Sequence, residues 1–314
     1  MKDQYLREID YLRISVTDLC NLRCSYCMPK GGVKKLSHSD IMSIERIIEV
    51  TKVFASLGIT KVRLTGGEPL VRKGIVDIVK GIKNIKGITL LAVTTNGILL
   101  KDYASDLYQA GLDRINISLD TLDIDKYKLL TRGGDISKVF EGIKESKKVG
   151  FKDIRINTVL LAKFNEDEID DLFKFAHDND LFLRFIELMP IGEAKKLNKD
   201  SFISNDILKD KLNDLIKVED DGVSITYAFK DGKGKIGLIS PLSHMFCSSC
   251  NRIRLTSDGK IKPCLHSSNE IDINGLDDEE LVKAIKEAIF NKPKSHHLNE
   301  EDSSSLRGMS EIGG

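Results

Sequence analysis

The sequence predicts an α/β fold built from parallel βαβ units, and three observations carry that expectation. Short β-branched runs recur six times through the first 190 residues, charged stretches with helical apolar spacing separate them, and glycines stand where helix gives way to the next strand. The runs are YLRISVT (11–17), KVRLTGG (61–67), ITLLAVTTNG (88–97), RINISLD (114–120), IRINTVLL (154–161) and FLRFIELMP (182–190).

Between the first two runs, DIMSIERIIEVTKVFASLG places Ile41, Ile44, Ile47, Ile48, Phe54 and Leu57 at helical spacing, with Gly58 in the position of a C-terminal cap. Gly111 and Gly150 mark the same helix-to-strand step further on. Periodicity alone leaves two architectures open, an open doubly wound sheet and an incomplete barrel. Both collect chemistry at the carboxyl ends of the strands. There the sequence puts Cys20, Gly66-Gly67-Glu68-Pro69, Thr94-Thr95-Asn96-Gly97, Ser118 to Asp120 and Met189-Pro190. After about residue 195 the alternation stops. A charged, helix-like stretch leads to SITYAFKDGKGKIGLIS, which reads as a hairpin, and a second cysteine group follows. From Pro293 onward the chain is polar and lacks a core pattern, so a flexible terminus is expected.

Composition narrows the function. A chain of 314 residues with 41% hydrophobic content can bury a sizeable core. Its 48 basic and 48 acidic residues cancel, so no global field draws it to nucleic acid or an anionic membrane, and any anion site must be local. The amino-terminal MKDQYLREID has no apolar core, and the most hydrophobic run, ITLLAVTT, is far too short to span a bilayer. A cytoplasmic protein is expected. The six cysteines fall in two groups, 20/24/27 and 247/250/264, unlike the scatter of a secreted disulfide framework.

Three cysteines as C-x3-C-x2-C can converge on one metal centre. A zinc site completed by a distant ligand such as His38 and a chance group of buried thiols are the bland alternatives, although the SHSD context of His38 suits a helix start. A [4Fe–4S] cubane held by three thiolates leaves one iron open to a small molecule, which would make the missing fourth ligand functional. The second group, Cys247, Cys250 and Cys264, spaced C-x2-C-x13-C, poses the same choice, with a zinc ribbon using His244 or His266 as its alternative.

With Tyr26 before the third cysteine and a GGEP run after the next strand, the sequence resembles the radical S-adenosylmethionine (SAM) superfamily. SVTDLCNLRCSYCMP, RLTGGEPLVR, VTTNG, INISLD, RFIELMP, FCSSCNRIRLTSDGKIKPCL and the terminal IGG, in that order, resemble the GTP 3',8-cyclase family of molybdenum cofactor biosynthesis over essentially the whole chain. The resemblance implies an incomplete (β/α)6 TIM-like barrel at 1–195, a C-terminal region at 196–292 carrying a second Fe–S cluster, and a tail at 293–314 ending in Gly-Gly. It implies two [4Fe–4S] clusters, one on Cys20, Cys24 and Cys27, the other on Cys247, Cys250 and Cys264, with SAM bound at the open iron of the first. Tyr26, Gly67, Ser118 and Met189 match SAM-contacting positions. Arg13, Arg63, Thr94, Arg155, Arg252 and Arg254 match GTP-contacting ones, and Gly313 and Gly314 match a tail that reaches into the active site.

The arginines have their own physical argument. Arg13, Arg63, Arg155 and Arg184 lie inside strand patterns, and a buried charge needs a partner, which a polyphosphate would supply. Where the family commonly has lysine this chain has Arg155, keeping the charge and adding a planar fork. The implied partners are GTP and an external electron donor; the downstream cyclic pyranopterin monophosphate synthase and a second copy in a homodimer are the further partners considered. Another radical SAM enzyme with an auxiliary cluster, such as a peptide maturase, is the rival reading, and a non-catalytic iron–sulfur or zinc protein is the rival from a different class.

Overall fold

The computed structural model describes all residues except 34, 35, 38, 198, 297, 299–302 and 314. The six predicted runs are six strands: β1 (Tyr11–Ser15), β2 (Lys61–Thr65), β3 (Leu90–Thr95), β4 (Arg114–Ser118), β5 (Ile154–Leu160) and β6 (Phe182–Glu187). Each pairs in parallel with the next. Helices α1 (Ile44–Ser56), α2 (Ile75–Lys83), α3 (Leu100–Gln109), α4 (Ile124–Thr131), α5 (Ile136–Val149) and α6 (Ile169–Asp178) make the crossovers. In α1, Ser43 accepts a hydrogen bond from the Arg46 amide as N-cap, and Ile47, Val50 and Phe54 are buried against the sheet. Gly58 follows the last turn with φ of +99°, and Gly150 closes α5 at +112°, conformations costly for a side chain with a Cβ.

The C-terminal region extends the same sheet. Strands β7 (Ile216–Asp220), β8 (Ile225–Ala228) and β9 (Lys235–Ile239) join one edge, β9 pairing in parallel with β6. On the other edge, β10 (Arg252–Leu255) pairs in parallel with β1 and leads to β11 (Lys260–Lys262) and β12 (Ile271–Asp272). The order is β12-β11-β10-β1-β2-β3-β4-β5-β6-β9-β8-β7. No hydrogen bonding joins β7 to β12 among the described residues, so the rolled sheet is an incomplete barrel. The connection from β9 to β10 leads from one side of the sheet to the other, and the second cysteine group begins on it.

The β8–β9 hairpin is where the sequence puts it. The helix-like stretch after residue 195 is different: it breaks into 3₁₀ turns and one short helical turn, α7 (Lys209–Leu212). One anchor of this stretch is Glu187, whose buried carboxylate accepts from the Asn205 amide and also from the Leu242 and Ser243 amides and the Ser243 hydroxyl. Helix α8 (Asp278–Phe290), with a capping box formed by Asp277 and Glu280, covers the β10–β11 side. The described end of the chain packs too: Ser303, Ser305, Ser310 and Ile312 are buried, the last in the short helix α9 (Met309–Ile312).

Candidate active site

Alternation on a strand sends every second side chain to one face, and here the inner face is cationic. Arg13 sits in register with Arg63 on one neighbouring strand and with Arg254 on the other, so three guanidinium groups lie side by side at one level. Arg184 projects from β6 across from them, held by the side-chain oxygens of Asn116 and Asn157 at 2.6 and 2.7 Å. Gly237 makes room for it, since a Cβ there would come within 2.9 Å of the Arg184 chain and the Phe182 ring. Burial, then mutual repulsion, lowers the pKa of all four arginines, Arg254 to about 10 and Arg13 and Arg184 well below the usual guanidinium value. The Nε groups of Arg63 and Arg184, the Tyr11 hydroxyl and the Thr94 hydroxyl are buried without a hydrogen-bond partner. Stacked cations with unsatisfied donors fit an anion with many oxygens.

This cavity is shared with the second cysteine group. Arg13, Arg63, Arg184, Arg252, Arg254 and Met189 line it together with Cys247, Cys250 and Cys264. Burial raises the Cys247 thiol. Burial works the same way on Cys250, but Lys292, Arg252 and Arg254 outweigh it and leave its pKa below the ordinary thiol value. These cations therefore ease deprotonation of Cys250 relative to an ordinary thiol. Lys292 is buried, donating to the carbonyls of Arg252 and Pro263, and Arg7 donates to the carbonyls of Cys247, Pro293 and Lys294. Neither residue stands out in the sequence, because their importance lies in backbone they reach across long chain separations. Of the two histidines considered as zinc ligands, His266 lines the cavity, while His244 is exposed and contacts Asp206.

The first cysteine group has the opposite surroundings. Cys20, Cys24 and Cys27 are free thiols on the loop after β1. Burial raises all three, and Glu68 and Asp120 add to it, with Cys27 pushed up to about 12. Metal binding to thiols releases their protons, so a metal centre here would have to displace them. Cys24 and Cys27 feel the charge of Cys20, so the three thiols share one electrostatic neighbourhood. Tyr26 donates to the Asp120 carboxylate at 2.7 Å, tying the cysteine loop to the end of β4. Asn96 ties it to β3, its amide reaching Asn21 at 2.7 Å and lying 3.8 Å from the Cys20 sulfur. His38, the alternative zinc ligand, lies outside the described residues.

Gly66 and Gly67 are explained by the chain itself. A Cβ on Gly66 would sit 2.3 Å from the Thr17 carbonyl oxygen, and one on Gly67 at 2.3 Å from that of Leu19. The glycines let the GGEP turn lie against the loop that leads into Cys20, a closer reason than room for a ligand. Glu68 then accepts from the Leu70 and Asn96 amides and the Thr95 hydroxyl, and burial pushes its pKa up to about 7. Ser118, partly buried at the end of β4, lies in register with Asn157.

The tail meets both regions. The Gly313 carbonyl accepts from Arg254 at 2.7 Å, while the position its Cβ would take is 1.9 Å from the Thr65 hydroxyl oxygen and 3.1 Å from the Gly66 nitrogen. Only glycine fits there. Gly314 lies outside the described residues. Arg155 departs from the central group: its guanidinium is held by Asp153 at 2.7 and 3.1 Å and lies 4.8 Å from the Phe182 ring centre, at a second opening lined also by Lys61 and Arg114.

Comparison with known proteins agrees with this arrangement. The Radical SAM superfamily profile matches residues 14–176, and the Molybdenum Cofactor Synthesis C profile matches 181–298. A GTP 3',8-cyclase of Alkaliphilus oremlandii (strain OhILAs) is 50% identical over 322 residues, covering 100% of both chains. One from Clostridium botulinum (strain Langeland) is 50% identical over 319 residues, again covering both completely. Among solved structures, Streptococcus suis SuiB bound to its precursor peptide SuiA superposes with a TM-score of 0.64 at 18% identity, covering 92% of this chain and 66% of that one. SuiB bound to S-adenosylmethionine gives 0.63 at 16%, covering 97% and 75%. At those identities the likeness is one of fold. A cysteine loop after the first strand, a second trio split between the β9–β10 connection and the loop after β11, and full-length relatives at half identity lead to one conclusion: this chain belongs to the GTP 3',8-cyclase family of the radical SAM superfamily.

Proposed function

We propose that this chain converts GTP to (8S)-3',8-cyclo-7,8-dihydroguanosine 5'-triphosphate, the first step of molybdenum cofactor biosynthesis. The observation that carries the reading is the row of buried arginines, Arg254, Arg13 and Arg63, facing one cavity with the second cysteine group. When bound, the two [4Fe–4S] clusters and SAM would supply the electron-transfer and radical chemistry for joining the ribose 3' carbon to guanine C8. The chain's own part is to bind, orient and exclude water.

Cys20, Cys24 and Cys27 hold the first cluster, and Tyr26, Gly67, Ser118 and Met189 form the SAM side of the site. Cys247, Cys250 and Cys264 hold the second. Arg13, Arg63, Thr94, Arg252 and Arg254 bind GTP, with Arg184 added by its place in the cavity. Bound triphosphate relieves the repulsion among the arginines, so substrate charge and cavity charge stabilise one another. Arg155 acts at the second opening, where Asp153 orients it. Gly313 and Gly314 serve catalysis, Gly313 from its place beside Arg254 and Thr65.

An external donor supplies the electrons, and the protein works in the cytoplasm. No helix among the described residues is long and apolar enough to cross a membrane. The test is anaerobic reconstitution with iron and sulfide, then incubation with SAM, dithionite and each nucleoside triphosphate in turn. GTP alone should release deoxyadenosine together with a cyclised product of GTP's own mass. Equal turnover of ATP, or deoxyadenosine with no change in GTP, would overturn the assignment.

A further inference from the structure

On the outside of the first cysteine loop lies a groove that shares no lining residue with the arginine cavity. Its walls are Leu129, Leu130, Leu161 and Phe164, and its rim carries Arg23, Lys30 and Arg132 with no carboxylate among the described lining residues. Leu129 is 71% exposed at the last turn of α4, so the groove presents a large apolar side chain to solvent beside its cations. In a chain of zero net charge, an apolar trough rimmed only by cations is a local feature.

What singles out this groove is what lies beneath it. Ser25, which sits between Cys24 and Tyr26, is part of its lining. Its amide donates to the Leu130 carbonyl at 2.9 Å, and the Arg23 amide donates to that of Thr131 at 3.1 Å, so the cysteine loop is stitched to the end of α4 along the groove. Arg132 donates to the carbonyls of Arg23 and Met28, and Arg23 to that of Cys20. Leu130 and Leu161 belong to a small apolar cluster that Tyr26 packs against. The groove's lining and the first cysteine trio thus share one loop, Ser25 standing between Cys24 and Cys27.

We infer that the groove is the docking site of a small acidic one-electron carrier protein, which delivers its electron through the Cys20–Cys27 loop. This rests on the radical SAM reading above. The balance is simple: the carrier is oxidised by one electron, and that electron is the one consumed when the C–S bond of SAM breaks to give methionine and the deoxyadenosyl group. Charge complementarity selects the partner. Cations on the rim steer an acidic surface, and the exposed leucine supplies an apolar contact at the centre.

The test uses the reconstituted holoenzyme with a reduced flavodoxin and a reduced acidic ferredoxin as probes. Affinity is measured by calorimetry at low and high salt, and electron transfer by stopped-flow absorbance. Lys30→Glu and Leu129→Asp change exposed side chains outside the cysteine machinery. Each should lower carrier affinity about tenfold and slow electron transfer in proportion. Iron content, melting temperature and dithionite-driven turnover should match wild type. Binding should also weaken as salt rises. Two results would overturn the docking site: no binding of either carrier to the wild-type holoenzyme, or binding unchanged by both substitutions. Failure of dithionite-driven GTP turnover in the wild type would instead count against the proposed function, and the affinities would still decide the docking site.

Discussion

At the scale of single residues, the arginine row sets stability against binding. Arg63 has a neighbouring cation in register and a buried Nε with no partner, so the ligand-free protein carries the cost of desolvation and repulsion. Arg63→Met should therefore raise the melting temperature of the ligand-free protein while raising the KM for GTP about ten- to a hundredfold, the loss of one charge-assisted contact of about 1.5–3 kcal/mol. Thermal melts with and without GTP check both halves, and a fall in melting temperature without ligand would refute the repulsion argument. Glu68 gives a pH test. Its folded pKa, about 7, lies above the ordinary carboxylate value, so the folded state holds a proton that the unfolded state has released. Its contribution to stability is therefore full below the ordinary carboxylate pKa and lost as pH rises toward 7. Compared with Glu68→Gln, the wild type should lose stability across that window, by about 3 kcal/mol at most, as read from urea unfolding at several pH values. A difference that does not change with pH would show that the carboxylate stays ionised.

At the scale of elements, Arg307 fastens the tail by a double ion pair. Arg307 donates to both carboxylates of Asp258 and Glu270, at 2.8 to 3.0 Å, six positions before the glycine that meets Arg254. Both acids belong to the β10–β12 region, so that part of the sheet holds the end of the chain in place. Arg307→Ala should release the tail: protection of the 303–313 amides in hydrogen exchange drops, and GTP-dependent deoxyadenosine release falls at least tenfold, about the energy of one charged pair. Arg307→Lys, which keeps charge but loses the fork, should recover only part. Full activity together with lost protection would mean the tail needs no fixed position.

At the scale of the whole molecule, two metal regions with opposite electrostatics share one rolled sheet. The first trio sits among carboxylates and the second among cations. They should load independently. Reconstituted wild type should contain about eight irons per chain, and Cys24→Ala or Cys250→Ala about four each; a single substitution that emptied both regions would show one joint site. The sequence alone determined the strands, the crossover helices, the cysteine trios and the arginines on alternate strand positions, because periodicity and spacing are local properties written within a few residues of chain. The β8–β9 hairpin was legible for the same reason. The loops of residues 196–212 were not, because they are anchored by tertiary contact, Ser204 and Asn205 donating to the buried Glu187 carboxylate. Nor were Arg7, Lys292 and Arg307, whose partners are tens to hundreds of residues away. Only the tertiary structure decided which strands would be neighbours, and with that the meeting of Arg254 with Arg13 across 241 positions. It gave the GGEP glycines their packing reason against the cysteine loop, and it engaged Arg155 with Asp153 at a second opening. The physical reason is the same in each case: a cavity is made by side chains that converge from separate strands, and convergence follows from sheet closure, which no single stretch of sequence contains.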